Sequence, residues 1–376
     1  MIFFTVPCDF KVSTLNKLMA LNHTYTNARV AETYGQITVK NPIGSGRAGD
    51  LLPQADIQML ADYIAQSNER GLKFNYTLNP TCLGNMEFSK DGLKIITDFI
   101  YTLYDAGVRS FTIAMPSLME LVRSLRLNVE IKASTVCQIT NANKASAYKA
   151  LGADRMVLDE SINRNFGTLK RIYKVCNAIE LIVNVICHQN CIYEIFHHNQ
   201  TSHDSSGTQQ SYQYYSHRCM MKRCESPANL LRMAWIRPED LKYYIAIGIH
   251  YFKIQGRQAA LKGDIVKTVQ CYMEQSFEGN LMELLDAFSP TNSFQVFIDN
   301  KKLDGYLKPF AEQDQFCHSD CSACHYCDQF LTQNFIVRDI AEMNQKASLF
   351  YKNYDAFLRN CRQLSEEEKQ SRSKYV

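Results

Sequence analysis

The residues of this sequence with the most chemical potential are cysteines, which fall into two groups. The first group joins Cys187 with Cys191 and Cys219 with Cys224, all inside a long polar stretch at 187–235. Four thiolates can hold an iron–sulfur cluster or a tetrahedral zinc ion. Free cysteines are also common as small buried hydrophobes, but these rarely concentrate in a polar insertion. We therefore expect four metal ligands here, with Cys224 replaceable by another cysteine or by substrate.

The second group is more compact and lies near the end of the chain. It reads C-x3-C-x2-C-x2-C and consists of Cys317, Cys321, Cys324 and Cys327. Zinc sites usually take two pairs from separated chain segments, whereas a single compact run is typical of ferredoxin-type clusters. The spacing therefore predicts a metal site that favours a 4Fe-4S cluster, with zinc as the alternative. The first three cysteines also match the spacing of radical S-adenosylmethionine enzymes. Those enzymes place the motif after their first strand, whereas here it lies beyond the eighth.

Composition limits what kind of protein can carry these groups. The chain has 376 residues, of which 46% are hydrophobic and 21% charged, so a packed core is expected and disorder is excluded. The formal net charge of +3 is too even to indicate a nucleic-acid partner. With fourteen cysteines, no secretory signal pattern and no apolar run of the ~20 residues that a membrane helix needs, we expect a cytoplasmic protein with reduced thiols.

Short β-rich runs alternate with amphipathic helical stretches along most of the chain. One such stretch begins behind Ser89, a candidate N-cap, and Gly107 and Gly152 stand where helices should end. Eight units of this kind predict a (β/α)8 TIM-type barrel over residues 1–277, with a doubly wound open sheet as the alternative. The candidate strands cover residues 2–7, 36–39, 73–78, 110–115, 129–134, 155–159, 180–186 and 251–255.

Two segments interrupt this alternation. Residues 187–235 form an insertion after the seventh strand, far longer than the 2–6 residues usual for such a loop. We expect His197 and His198 to lie there in a solvated stretch. Residues 278–376 are predicted to form a small C-terminal domain with the second cysteine group and a helical tail.

In a barrel of this type, function lies at the carboxyl ends of the strands. Lys253 and Arg257 would place two cations over the barrel mouth, or shield buried acids. Asp159 and Glu160 could act as acid and base, although an N-cap or an ion pair with Arg164 is equally compatible with them. The predicted catalytic residues are Lys253, Arg257, Asp159 and Glu160, and the predicted substrate-binding residues are Arg47, Gly46 and Asn184.

Two motifs resemble those of a known family. Residues 215–221, Y-S-H-R-C-M-M, resemble its Y-S-G-R-C-L-x element, and residues 248–257, G-I-H-Y-F-K-I-Q-G-R, resemble its G-I-D-x-x-K-I-E-G-R element. The family is that of the collagenase-like peptidases, number 32 among the unassigned peptidases. The resemblance spans the barrel and implies an oxygen-sensitive 4Fe-4S cluster. The residues that carry over most directly are Cys187, Cys219, Lys253 and Arg257.

Studied members of that family include oxygen-independent hydroxylation proteins that act on transfer RNA, ribosomal RNA or a quinone precursor. The sequence contains no HExxH, GxSxG, Asp-Thr-Gly or Asp-Ser-Gly motif of common hydrolases. We therefore expect an iron–sulfur redox enzyme, with one or two clusters and an electron donor, that hydroxylates a macromolecule or a biosynthetic precursor. A peptidase is the alternative, and an RNA-binding or partner-binding module is the second alternative.

Overall fold

Eight parallel strands close into a barrel in sequence order in the part of the chain described by the computed structural model. The model describes residues 1–47, 49–206, 214–257, 259–289, 296–334 and 336–373. The strands are Ile2–Pro7 (β1), Ala28–Gly35 (β2), Lys73–Leu78 (β3), Ser110–Ile113 (β4), Glu130–Ala133 (β5), Arg155–Val157 (β6), Ile179–Ile182 (β7) and Tyr251–Lys253 (β8). The predicted (β/α)8 fold is confirmed.

Helices connect the strands and cover the barrel. None of the described helices is long and apolar enough to cross a membrane. The α-helices are Val12–Thr24 (α1), Ile57–Glu69 (α2), Lys90–Asp105 (α3), Pro116–Ser124 (α4), Ala142–Ala150 (α5), Phe166–Val175 (α6), Glu194–Ser205 (α7), Tyr214–Cys224 (α8), Ala228–Leu231 (α9), Leu241–Ile245 (α10), Ala259–Lys262 (α11), Ile265–Glu274 (α12), Leu281–Leu285 (α13), Lys308–Glu312 (α14), Cys321–Cys324 (α15), Tyr326–Asn334 (α16) and Ile340–Ser373 (α17).

Local sequence signals explain where several helices begin and end. The Ser89 hydroxyl accepts the Gly92 N–H at 3.1 Å and caps α3, as predicted. Gly107 follows α3 with a φ of 99°, a left-handed conformation that favours glycine. These caps fix the length of a helix whose buried face packs against the barrel.

The position of β2 differs from the prediction. The strand is Ala28–Gly35, and the predicted run 36–39 belongs to the loop that follows it. The other seven strands lie where they were predicted. The charged residues Arg29 and Glu32 interrupt the apolar run of β2, and Glu32 is buried because its carboxylate pairs with Lys132 across the barrel interior. The strand was missed because Glu32 looks like a surface residue in the sequence, and its partner Lys132 is distant along the chain.

A buried ion-pair network occupies the barrel interior. Lys132 Nζ lies 2.5 Å from Glu32 Oε1 and 3.0 Å from Glu180 Oε2, and the Thr5 hydroxyl donates to the other Glu180 oxygen. Burial opposes ionisation of Glu180, but Lys132, Lys253 and Arg155 lower its pKa to about 2. The network therefore ties β2, β5 and β7 together through charges that remain ionised.

The insertion after β7 is folded rather than irregular. It contains α7, α8 and α9, while residues 207–213 lie outside the described part of the chain. The last helix, α17, packs along α8, with the Tyr354 ring 5.8 Å from that of Tyr214 and the Phe350 ring 5.9 Å from that of His217. No described residue after Glu278 adds a strand to the barrel sheet. The domain boundary near 277 stays a prediction.

Replacing the buried ammonium tests the network. We expect Lys132→Met to lower the free energy of unfolding by about 3–5 kcal/mol, because two buried carboxylates lose their counter-charge. Urea denaturation measures the change. Lys94→Met, which breaks the exposed pair with Asp98, should change it by no more than about 0.5 kcal/mol. Equal effects of the two substitutions would contradict a structural role for the network.

Candidate active site at the barrel mouth

A cavity of about 120 Å³ lies at the carboxyl ends of the barrel strands. Strands β2 to β8, or the loops that follow them, each contribute a residue to its wall, and α7 of the insertion covers one side. This is the end of a (β/α)8 barrel where substrate sites occur. Most of the predicted catalytic residues meet here, on two walls of opposite character.

One wall is cationic and consists of Lys253, Arg257 and Arg47. Lys253 Nζ lies 4.0 Å from the centre of the Tyr34 ring, and burial lowers its pKa to about 8 although Glu180 favours the charged form. Burial, together with Arg47, lowers the pKa of Arg257 to about 10. The Arg257 guanidinium donates to the Thr77 hydroxyl at 2.9 Å. Cations that buried groups neutralise only in part will attract an anionic group of the substrate.

The other wall carries carboxylates. One oxygen from each of Asp159, Glu160 and Glu194 lies within 4.8 Å of the others, a spacing that suits a shared proton or a bound cation. Burial, then the neighbouring Glu194, raises the pKa of Glu160, and burial with Asp159 raises that of Glu194 to about 7. The group therefore retains a proton near neutral pH, because like charges at this spacing resist full ionisation.

Local hydrogen bonds hold these carboxylates in place. Asp159 Oδ1 accepts the Ser161 N–H at 2.8 Å and caps the short 3-10 turn Glu160–Ile162. Glu160 Oε2 accepts the Thr135 hydroxyl at 2.7 Å. Arg164, considered from sequence as an ion-pair partner, instead donates to the Leu231 carbonyl at 2.6 Å. Asp159 therefore caps a turn and also belongs to the carboxylate group.

Two histidines correct the sequence interpretation of the insertion. His197 and His198 were predicted to be solvated, but both lie on α7 and face the cavity. Burial lowers the pKa of both imidazoles, that of His197 to about 4, so they are neutral at pH 7. His198 Nε2 stands 3.9 Å from Glu194 Oε1. The prediction was wrong because this polar segment forms a helix, α7, that places both side chains toward the cavity.

Three of the four cysteines in the insertion converge beside the carboxylates. Cys187 lines the cavity, and burial, Glu160 and the Cys219 thiol raise its pKa well above the usual range. Burial also raises the pKa of Cys191, and Cys219 again contributes. Cys224 lies apart from them in the hydrophobic core, where burial raises its pKa. Neutral thiols are weak nucleophiles, so this environment does not favour a cysteine nucleophile.

The donor set at the mouth fits a thiolate-bound cluster only in part. Cys187 lines the cavity, and Cys187 and Cys191 each have Cys219 as a neighbour, so three thiols of the ligand type that iron–sulfur clusters require lie in this region, although in the described residues their sulfurs are not all within 4.8 Å of one another. The predicted fourth ligand, Cys224, is not among them. The three-cysteine arrangement leaves one iron position for another group.

The remaining predicted residues are placed as follows. The Gly46 N–H donates to Asn79 Oδ1 at 3.3 Å, at the edge of the cavity. Asn184 lies under it, where its amide bonds the backbone of Gln255 and Leu285, so it joins chain segments rather than facing substrate. The second cysteine group lines a separate, smaller cavity.

Sequence reasoning missed several polar residues of the mouth. Thr77 and Asn79 line it from β3 and its loop, and Tyr34 lines it from β2. Gln36 accepts from Arg257 and from the Thr77 hydroxyl. The signal available in the sequence was a polar residue at the end of a buried strand. Because β2 was predicted at 36–39, Tyr34 and Gln36 were not recognised as residues at a strand end.

Comparisons with known proteins agree with the motifs. Residues 52–280 match the sequence profile of Peptidase family U32. Over 332 residues the chain is 29% identical to an uncharacterized protease of Methanocaldococcus jannaschii, covering 86% of this chain and 95% of that protein. The U32 peptidase Mk0906 has a solved structure with a TM-score of 0.50 at 18% identity, covering 68% of this chain and 93% of its own. The latter likeness supports the fold, and together the matches confirm the predicted resemblance.

The raised pKa of Glu194 has a consequence for stability. Between about pH 4.5 and 7 the folded protein holds a proton on this carboxyl that the unfolded chain releases, so stability falls as pH rises through this window. We expect Glu194→Gln to make that fall shallower in thermal melts recorded across the window. Glu225→Gln, at an exposed residue paired with Lys222, should leave the slope unchanged. A wild-type slope in the Glu194 variant would contradict the assignment.

Proposed function

Because this chain belongs to peptidase family U32, we propose that it is a hydrolase that cleaves peptide bonds at the barrel mouth. The observation that carries the proposal is a group of three carboxylates within 4.8 Å of one another, one of which, Glu160, lines a cavity whose other wall is cationic. Such a group holds an ionised and a protonated carboxyl side by side, which is the arrangement that acid–base hydrolysis needs.

The chemistry follows from that shared proton. An ionised carboxylate of the group takes a proton from a water molecule, whose oxygen forms a bond to the carbonyl carbon of the peptide. A protonated carboxyl gives its proton to the carbonyl oxygen. When the carbon–nitrogen bond breaks, the leaving amine takes a proton from the group, and a hydroxyl of the tetrahedral intermediate returns a proton to it as the new carboxyl group forms. The carboxylates are then back in their first state. Water is the co-reactant, so no oxidant or reductant is needed.

The cationic wall gives the proposal a substrate class. Arg257, whose guanidinium is a planar fork of donors, and Lys253, whose ammonium is a compact point charge, would bind a carboxylate of the peptide opposite the acid–base group. The cavity volume of about 120 Å³ is several times the ~10–15 Å³ that one water molecule requires. This volume fits the carboxyl end of a flexible peptide better than a segment of a folded protein.

A direct test follows the water oxygen. We expect incubation with short peptides bearing free terminal carboxylates in H2(18)O to place one heavy oxygen in the new carboxyl group, as read by mass spectrometry. Glu160→Gln should slow cleavage by about 100-fold or more, because the group loses an acid–base member. Glu225→Gln is the matched control and should cleave at the wild-type rate.

Three results would contradict this proposal. The wild-type protein could leave every peptide intact, or Glu160→Gln could cleave as fast as Glu225→Gln. Cleavage that stops with EDTA and returns with a divalent cation would assign the carboxylates to a metal ion instead of a shared proton.

A specific observation favours a second candidate, the iron–sulfur redox enzyme expected from sequence. Cys187 lines the cavity, Cys187 and Cys191 both neighbour Cys219, and the raised pKa of Cys187 and of Cys191 makes these two thiols poor nucleophiles. The three cysteines would hold a 4Fe-4S cluster, which supplies electron transfer or Lewis acidity at its open iron. In that case Lys253 and Arg257 would orient an anionic substrate, such as RNA or a carboxylate precursor, for oxygen-independent hydroxylation with an external electron donor.

Metal content distinguishes the two candidates. If the second is right, protein purified without oxygen should lose about four iron and four sulfide per chain on Cys187→Ala but not on Cys361→Ala, an exposed residue of α17. Full iron and sulfide content in the Cys187 variant would contradict a cluster at the mouth. Peptide cleavage that survives the loss of iron would support hydrolysis.

A further inference from the structure

The second cysteine group lies outside the segment that matches the U32 profile, which ends at residue 280. The structure brings the group around one small cavity of about 30 Å³. The cysteines that line it are Cys317, Cys321, Cys324 and Cys327. All four side chains contribute to the wall of the same cavity, although they come from a run of only eleven residues.

The backbone around these cysteines contains two residues in uncommon conformations. Ser319, with a φ of 58°, and His325, with a φ of 52°, adopt left-handed conformations on either side of α15. Asp320 caps α15 by accepting the Ala323 N–H at 3.3 Å. Left-handed residues other than glycine are uncommon and costly, so a short segment keeps two of them only if something compensates.

Apolar burial does not provide that compensation. Cys321 and Cys324 are exposed, and Cys317 and Cys327 are only partly buried, so the thiols have not been gathered as core hydrophobes. One side of the cavity is aromatic, and Tyr306 Oη lies 3.2 Å from Cys327 Sγ. A hydroxyl at this distance is the kind of neighbour that stabilises a ligating thiolate. Ligand spacing, turns and neighbours all suit a tetrathiolate metal site.

Two contacts connect this group with the insertion that serves the barrel mouth. The Asn190 amide donates to the Ser319 hydroxyl at 3.2 Å, and Asn190 is the residue before Cys191. The Arg232 guanidinium, just after α9, forms an ion pair with Asp328, the residue after Cys327. Each contact therefore joins a neighbour of the C-terminal cysteines to a segment of the insertion.

We propose that Cys317, Cys321, Cys324 and Cys327 bind a metal centre of their own, and that this centre clamps the insertion segment carrying Cys187 and Cys191 onto the C-terminal part of the chain. The metal is one that prefers thiolates, either a zinc ion or the iron of a cluster. The clamp acts through the Asn190–Ser319 and Arg232–Asp328 contacts. It does not depend on whether the mouth performs hydrolysis or redox chemistry.

The test combines metal content with hydrogen exchange. The Cys321→Ala/Cys324→Ala variant removes two exposed thiols and is compared with Cys361→Ala, which removes an exposed thiol elsewhere. We expect the double variant alone to lose either one zinc or about four iron per chain. Peptides covering residues 187–193 should then exchange their amide hydrogens at least several-fold faster, as measured by mass spectrometry on the full-length chain.

Cobalt supplies a second measurement on the same proteins. Chelator-treated wild type and Cys361→Ala, titrated with Co²⁺ alone, should show a stronger thiolate-to-cobalt absorption than the double variant. Equal metal content and equal cobalt absorption in the double and control variants would overturn the metal site. Loss of metal with unchanged exchange at residues 187–193 would overturn the clamp.

Discussion

Lys132 stands between Glu32 and Glu180 inside the barrel, and the geometry of the mouth depends on this contact. Three strands supply the three charges, so the pairing fixes how β2, β5 and β7 are positioned around the interior. In the register of the sheet, Glu180 is paired with Tyr251 and Ile182 with Lys253, which places Lys253 one layer above the network. The floor of the cavity is therefore rigid and charged rather than apolar.

The ion-pair network below the cavity explains why the pKa of Lys253 in the cationic wall is lowered. Glu180 is already engaged by Lys132, so it offsets only part of the burial that lowers the pKa of Lys253. Arg257 donates to uncharged partners, Gln36 and Thr77, and meets no carboxylate among the described contacts. The mouth therefore has positive charge that no described carboxylate of the cavity wall pairs directly, while Glu194 on α7 and Glu160 after β6 have raised pKa values.

Much of this arrangement could be predicted from sequence because it depends on local rules. Apolar runs located seven of the strands, the Ser89 cap and Gly107 marked the ends of a helix, and strand order placed Lys253 and Glu160 at one end of the barrel. The family motifs gave the relationship that the profile match confirms.

The rest could not be predicted because its cause is pairing between distant residues. Glu32 is tolerated inside β2 only because Lys132, 100 positions away, is its partner. His197 and His198 reach the mouth because a polar stretch folds as α7 and covers the cavity. Cys224 follows the cysteine pattern but packs in the core, which spacing along the chain does not reveal.

The shared proton of the carboxylate group is the central claim, and a carbon-13 NMR titration of the glutamate side-chain carboxyls measures it most directly. We predict one carboxyl signal that titrates near pH 7, far above the ordinary ~4.3 of glutamate, and that disappears in Glu194→Gln. A protein in which every glutamate carboxyl ionises below about pH 5 would contradict acid–base hydrolysis at this site.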